Sequence, residues 1–184
     1  LLSIPASLGL IFASDEIVSA LFGYGSFSLK SVSSTSLALK YFGFGVPAFA
    51  LIKILSNFFF ARNDTKTPFL ISAFIVILNI ILSISFFEKM GFVIIPIATS
   101  FSTWVGVLVY LYLLNQKKFL LIKNYLFKNI IKIIINTGIM TSFLIFALDH
   151  YAKYLEYSFR YKSIYLLTIV SFVAGIYLIS CYLA

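Results

Sequence analysis

Pro68–Phe87 reads PFLISAFIVILNIILSISFF, twenty residues without a charge or a glycine. Wound as a helix, such a run rises about 30 Å, the thickness of a bilayer's hydrocarbon core. Working outward, five more apolar stretches of similar length account for almost all of the rest: Leu1–Phe22, Leu37–Ala61, Phe92–Leu114, Ile130–Leu148 and Ile164–Ala184. One buried helix of this kind fits inside a large soluble protein, but six in succession joined by short loops do not. With 61% hydrophobic residues, 11% charged residues and a mean hydropathy of +1.05, the expected fold class is an all-α polytopic membrane protein with six transmembrane helices.

Local signals refine the boundaries. Ser14-Asp15-Glu16 reads as an N-cap followed by two acids in a first helical turn, where the helix dipole favours them. The first run is therefore expected to break near Ala13–Ser14, leaving a short amphipathic helix at the outer interface that ends at Gly23 or Gly25. Asn63-Asp64-Thr65 with Pro68 predicts a tight turn, Thr67 being biased away from helix by the proline that follows. Lys123–Lys128 leads into the fifth run as a basic interfacial segment, read as a positive-inside anchor.

Loop charge suggests the orientation. Arg62, Lys66, Lys117, Lys118, Lys123, Lys128 and Lys132 give seven cations on one side, with Asp64 as the accompanying acid. The other side holds six, Lys30, Lys40, Lys89, Lys153, Arg160 and Lys162, against Asp15, Glu16, Glu88, Asp149 and Glu156. The density of the Lys117–Lys132 cluster places that side in the cytoplasm.

Polar groups within the runs carry the functional expectations, because a charge inside a span is costly and tends to mark a pathway. Lys53 is the cation set well inside a run, about 12 Å of helix before Ala61. Gly43, Pro47, Ala50, Lys53 and Asn57 follow a three-to-four spacing and make one small, polar face. Such a face suits a water-filled cavity where an anionic substrate meets the ammonium; alternatively Lys53 snorkels to the headgroups or pairs with an acid elsewhere. Asn79 and Ser83 in the third run, with Thr99 in the fourth, form a candidate weak cation site or a polar packing cluster. The absence of a carboxylate favours packing. Thr168, Ser171 and Gly175 suit close packing in the last run, where no central charge is available to hold a polar substrate group and lipid tails fit better.

Several chemistries are not indicated. No phosphate-binding loop, HExxH helix or Ser/His/Asp set occurs, so no catalytic residue, cofactor or metal is expected. His150, beside Asp149 at a helix end, reads as interfacial, and Cys181 is the single cysteine. Gly23-Tyr24-Gly25 reads as a turn. The net charge of +8 comes with no nucleic-acid fold, and anionic lipid explains it; 21 Phe and 12 Tyr fit lipid contact and interfacial belts. Leu1 lies inside an apolar run with no charged leader before it, so the chain is expected to be the C-terminal part of a longer protein.

A family resemblance follows from the motifs. Pro5, Ala20–Phe27 (ALFGYGSF), Ala38-Leu39, Tyr41, Gly45–Ala48 (GVPA), Lys53–Leu55 and above all Phe58–Pro68 (FFFARNDTKTP) resemble the MurJ (MviN) lipid II flippase family. That family carries an FYAR-x-D-x-KTP loop, and here Phe60 takes the tyrosine's place. Gly91 and Ala98-Thr99-Ser100 are similar to its following segment. The motif-bearing match covers Leu1–Leu114; beyond that only hydropathy and helix count agree. The resemblance implies a fourteen-helix flippase of the multidrug/oligosaccharidyl-lipid/polysaccharide exporter superfamily, this chain supplying most of the C-terminal lobe plus the final two helices. Residues 1–114 would be four helices of that lobe, 115–129 a basic cytoplasmic interfacial loop and 130–184 a terminal two-helix hairpin.

It also implies a membrane transporter rather than an enzyme, in the bacterial cytoplasmic (inner) membrane. Its partners would be lipid II, membrane lipids and the missing N-terminal lobe, with no nucleic acid. Lys53 and Asn57 would face the substrate cavity. In the cytoplasmic loop motif Arg62, Asp64, Lys66 and Pro68, the three charged residues would fix the loop through local hydrogen bonds and charge pairs and so govern closure, and a groove near the last two helices would hold the polyprenyl tail. Alternatives are an exporter of another lipid-linked oligosaccharide or drug, or a non-functional truncated remnant.

Overall fold

The computed structural model describes residues 2–117, 124–155, 159 and 161–183. Its elements are α1 (Ser3–Phe12), α2 (Ser14–Phe22), α3 (Leu29–Phe60), α4 (Lys66–Met90), a single 3-10 turn at Gly91–Val93, α5 (Ile94–Gln116), α6 (Asn124–His150), α7 (Ala152–Leu155) and α8 (Lys162–Leu183). The described residues contain no strand.

Among the described residues, four helical stretches are long and apolar enough to cross a membrane: Leu29–Phe60, Lys66–Gln116, Lys128–His150 and Lys162–Tyr182. The count rises to five if α1 and α2, bent by 75° at Ala13, together make one span. Six spans were expected, and four such stretches, or five with the bent pair, are found. The first apolar run is not a straight helix, and Lys66–Gln116 is one long apolar stretch holding both α4 and α5.

The break at Ala13 falls where the acids at 15 and 16 predict it, but the cap differs. Ser14 is already the first residue of α2, and its hydroxyl donates backwards to the Ile11 carbonyl at 3.4 Å. Thr67 also departs from expectation, since α4 begins at Lys66 and runs through it. Pro68 sits in the first turn, where its missing N–H costs nothing. α3 begins well before Leu37 and carries Pro47 within it. The Gly23–Gly25 turn forms as expected, with Gly25 at φ 61°.

The chain divides into two compact units, Leu1–Gly43 with Lys123–Ala184, and Phe44–Ile122. In the first, α1 and α2 pack on α6 and α8 around Ala13, Ala20, Met140, Leu144, Leu166, Val173 and Tyr177. In the second, Ala48, Leu55 and Phe59 of α3 meet Ile71 of α4 and Val107, Tyr110 and Leu114 of α5. There α4 and α5 run antiparallel. Gly91, at φ 60°, makes the reversal with a backbone conformation that glycine accepts most readily. Gly106 lets the two helices close up, since a Cβ there would run into the Ile75 side chain. The outer faces of this hairpin are apolar, with Phe69, Leu70, Ile77, Ile84 and Leu108 exposed. So large an apolar surface is unfavourable in water and ordinary against lipid.

Lys118, Lys123, Glu156 and Arg160, counted above for orientation, lie outside the described residues.

Candidate functional site

The FFFARNDTKTP segment folds into a compact turn between α3 and α4. The α3 helix ends with the Arg62 guanidinium donating to the Phe58 carbonyl at 3.1 Å, one of the acceptors a helix end leaves open. Asn63 reverses the chain at φ 58°, a conformation its short polar side chain tolerates. Asp64 then caps α4. Its carboxylate accepts the Thr67 backbone N–H at 3.0 Å and the Thr67 hydroxyl at 2.7 Å. The ammonium of Lys117, at the end of α5, reaches the same carboxylate at 3.1 Å and lies 5.1 Å from the centre of the Phe59 ring. The Thr67 backbone and hydroxyl, followed by Lys117, hold the Asp64 carboxyl well below the usual range, at about 2. It is therefore an anion at any physiological pH.

The sequence predicts local hydrogen bonds and charge pairs at Asp64, but nothing in it marks Lys117 as the partner. The two residues are 53 positions apart, and only the antiparallel packing of α4 on α5 joins them. Lys66 opens α4 and is exposed; Pro68 is buried.

Lys53 and Asn57 lie one turn apart on an exposed side of α3. Among the described residues, the Lys53 ammonium has no ion-pair partner. The small stripe they extend is graded: Gly43 is buried, Pro47 and Ala50 are half-buried, and Lys53 and Asn57 are open.

Asn79, Ser83 and Thr99 do come together. The Asn79 amide donates to Thr99 Oγ1 at 2.8 Å, Ser83 donates to Asn79 Oδ1 at 3.2 Å, and Thr99 donates to the Ile95 carbonyl at 2.7 Å. Each hydroxyl proton is thereby used, in a chain that ends on backbone. Beside it lies a small cavity of about 280 Å³ lined by Phe49, Ile75, Thr99 and Ser102 among others.

A larger apolar cavity, of about 450 Å³, opens between α1, α2, α6 and α8. Gly9, Leu10, Ile17, Met140, Leu144 and Val173 are among its walls. No hydropathy profile shows it, because it depends on how α1 leans from α8 after the bend at Ala13.

Taken together, a helical chain with several membrane-crossing stretches, a hydrogen bond between α4 and α5, and an apolar cavity along α8 defines a multi-pass membrane protein. Comparison with known proteins narrows the class. The family model described as "Lipid II flippase MurJ" matches residues 1–173. The chain belongs to the MurJ lipid II flippase family.

A probable lipid II flippase MurJ of Buchnera aphidicola subsp. Schizaphis graminum is 32% identical over 98% of this chain and 35% of its own length. The lipid II flippase MurJ of Thermosipho africanus is 34% identical over 80% of this chain and 29% of its own. A solved structure, "Lipid II flippase MurJ, inward closed conformation", superposes with a TM-score of 0.79 at 27% identity, covering 98% of this chain and 35% of that one. The chain thus spans about a third of the length of these relatives.

Proposed function

We propose that this chain is the C-terminal part of a lipid II flippase, which moves the lipid-linked peptidoglycan precursor from the inner to the outer leaflet of the bacterial cytoplasmic membrane for cell-wall synthesis. The observation that carries this reading is the agreement of nearly the whole chain, in sequence and in fold, with lipid II flippases. The remaining lobe of the transporter completes the substrate path, and the protein acts as a transporter rather than an enzyme.

The physical problem is a diphosphate that cannot cross hydrocarbon unaided. Alternating access solves it by enclosing the headgroup in a hydrated, cationic cavity that opens first inward and then outward while the tail stays in lipid. Lys53 and Asn57, on the open side of α3, are the residues of this chain that line that cavity. The ammonium attracts the diphosphate, and the amide meets polar substrate groups. The apolar cavity along α1, α6 and α8 receives polyprenyl tail. Asn79, Ser83 and Thr99 serve helix packing, since their hydrogen bonds are internally satisfied.

In this reading α4 and α5 each cross the bilayer, and α1 with α2 makes a broken span, giving six crossings. The Asp64–Lys117 pair supports a hairpin with both ends on one side. The cationic excess around Arg62, Lys66 and Lys117 makes that side cytoplasmic. The Arg62–Pro68 turn is rigid and governs closure at this end without binding substrate.

The test is complementation. In a bacterium depleted of its own flippase, the full-length protein carrying this chain restores labelled lipid II at the outer leaflet. Lys53→Ala lowers that exposure about tenfold or more, the loss expected for one charge-assisted contact in a cavity. A well-expressed, membrane-inserted protein that restores nothing overturns the substrate assignment in favour of another lipid-linked oligosaccharide or a drug.

A further inference from the structure

The Gly23-Tyr24-Gly25 turn has no role in the mechanism above, yet it sits on a fully buried cation. Lys162, the first residue of α8, has no exposed surface. Its ammonium donates to the Gly23 carbonyl at 2.8 Å and lies 4.5 Å from the centre of the Tyr24 ring. The next residue joins it: Ser163 Oγ donates to the Ala20 carbonyl at 2.6 Å and is 2.7 Å from the Tyr24 hydroxyl. A serine has one hydroxyl proton, and the Ala20 carbonyl takes it, so the Tyr24 hydroxyl is the donor to Ser163.

Ala20 and Gly23 stand at the C-terminal end of α2, where helix carbonyls lack intrahelical partners and the dipole favours a cation. Two residues of α8 thus cap α2. Gly23 is required for the fit, since a Cβ there would lie 2.5 Å from the Ser19 carbonyl oxygen and 2.9 Å from Lys162 Nζ. At its other end α2 is tied to α3, where the Ser36 hydroxyl donates to the Asp15 carboxylate.

We infer that Lys162 is a positioning residue for the polyprenyl tail: with Ser163 and the Gly23–Gly25 turn it clasps α2 to α8 and so sets the width of the apolar cavity. The inference rests on the reading of that cavity as the tail site. The geometry behind it is short. Ile17 lines the cavity one turn before Ala20, and Val170 lines it two turns after Ser163. The clasp therefore joins two walls just beyond the cavity's end. The 75° bend at Ala13 then carries α1, with Gly9 and Leu10, along the opposite side. With α2 held on α8, the gap between α1 and α8 has one value. With the clasp undone, α2 is free to swing and the walls lose their spacing.

The test uses the full-length protein in lipid nanodiscs, with undecaprenyl diphosphate and farnesyl diphosphate as probes. These share a headgroup and differ in tail length. Wild-type protein is expected to prefer the longer chain. Lys162→Met keeps the stem and removes the donor. It should narrow that preference about tenfold, the contact of roughly two buried methylenes, and leave farnesyl diphosphate affinity unchanged. Tyr24→Phe keeps the ring, removes the bond to Ser163, and should narrow the preference about threefold.

A general loss of fold would weaken both probes together, which separates it from a change in tail positioning. An unchanged preference in folded Lys162→Met and Tyr24→Phe overturns the inference while leaving the tail site standing. If Lys162→Met does not fold, Tyr24→Phe decides alone. A wild-type protein with no preference for the longer chain overturns the tail-site reading itself, and the inference with it.

Discussion

The α4–α5 hairpin and the α6–α8 pair are both helix pairs in an apolar setting, and they differ in how closely their surroundings are filled. Between α4 and α5 an apolar seam of Ile71, Val107 and Tyr110 is joined by a close approach, Gly106 against Ile75, and by a hydrogen bond, Asn79 to Thr99. Between α6 and α8 large apolar side chains, Met140, Leu144, Leu166 and Val173, accompany a contact from the Asn136 amide to Cys181 Sγ at 3.6 Å, and beside the pair α1 and α2 leave an open apolar cavity. In lipid, two leucine surfaces gain little by leaving the bilayer for each other, so close fit and hydrogen bonds do the joining. A closely fitted pair behaves as one rigid piece. A pair that leaves apolar space beside it is suited to hold a lipid chain.

The contrast breaks most severely at Gly106. In Gly106→Leu the added side chain begins where the Ile75 side chain already stands, so Ile75 must give way or α4 and α5 must separate. The expected cost is at or above the upper end of the about 1–3 kcal/mol typical of overpacking, read as a large fall in the melting temperature of the detergent-solubilised protein. A variant melting within a degree of wild type would show that α4 and α5 are not closely fitted.

Gly9 offers the opposite case. Gly9 lines the apolar cavity, and a Cβ there meets nothing within 4 Å. Gly9→Leu should fold without loss and gain up to about 1 kcal/mol from helix propensity. The filled cavity should lower undecaprenyl diphosphate affinity about tenfold. Unchanged affinity would place the tail elsewhere.

The smallest effect is expected at Asp64. Its pair with Lys117 is partly exposed, and such pairs stabilise weakly. The folded carboxyl titrates at about 2, below the ordinary value of 3.8. Its contribution is therefore complete above about 3.8 and disappears as pH falls through about 2. Asp64→Asn should melt slightly below wild type from pH 8 to pH 5, and the gap should close on further acidification. A gap that opens or closes near neutrality would overturn the assignment of this carboxyl as a permanently charged cap.

Much of this architecture is legible locally. The apolar run at Pro68–Phe87, the acids after Ser14 that mark the bend, and the Asn63–Pro68 turn each act over one or two helical turns. Their outcome therefore follows from neighbouring residues. The Asn79, Ser83 and Thr99 meeting was also anticipated, because two stripes at helical spacing on adjacent helices have few ways to face each other. Lys162 was not. Counted as one more loop cation, it is fully buried, and nothing within a turn of it in sequence signals that.

Neighbouring residues alone make this an apolar, helical, membrane-embedded chain, decide where it turns, and supply the family motif of the Arg62–Pro68 turn. Hydropathy and capping are short-range properties written in adjacent residues. Tertiary structure alone decided that Lys117 closes on Asp64, that Lys162 is drawn beneath the Gly23–Gly25 turn, and that α1 stands off α8 to leave a cavity. Those outcomes depend on interhelical approach across tens to more than a hundred residues of chain, where the angle at one bend and the size of one glycine determine which groups meet.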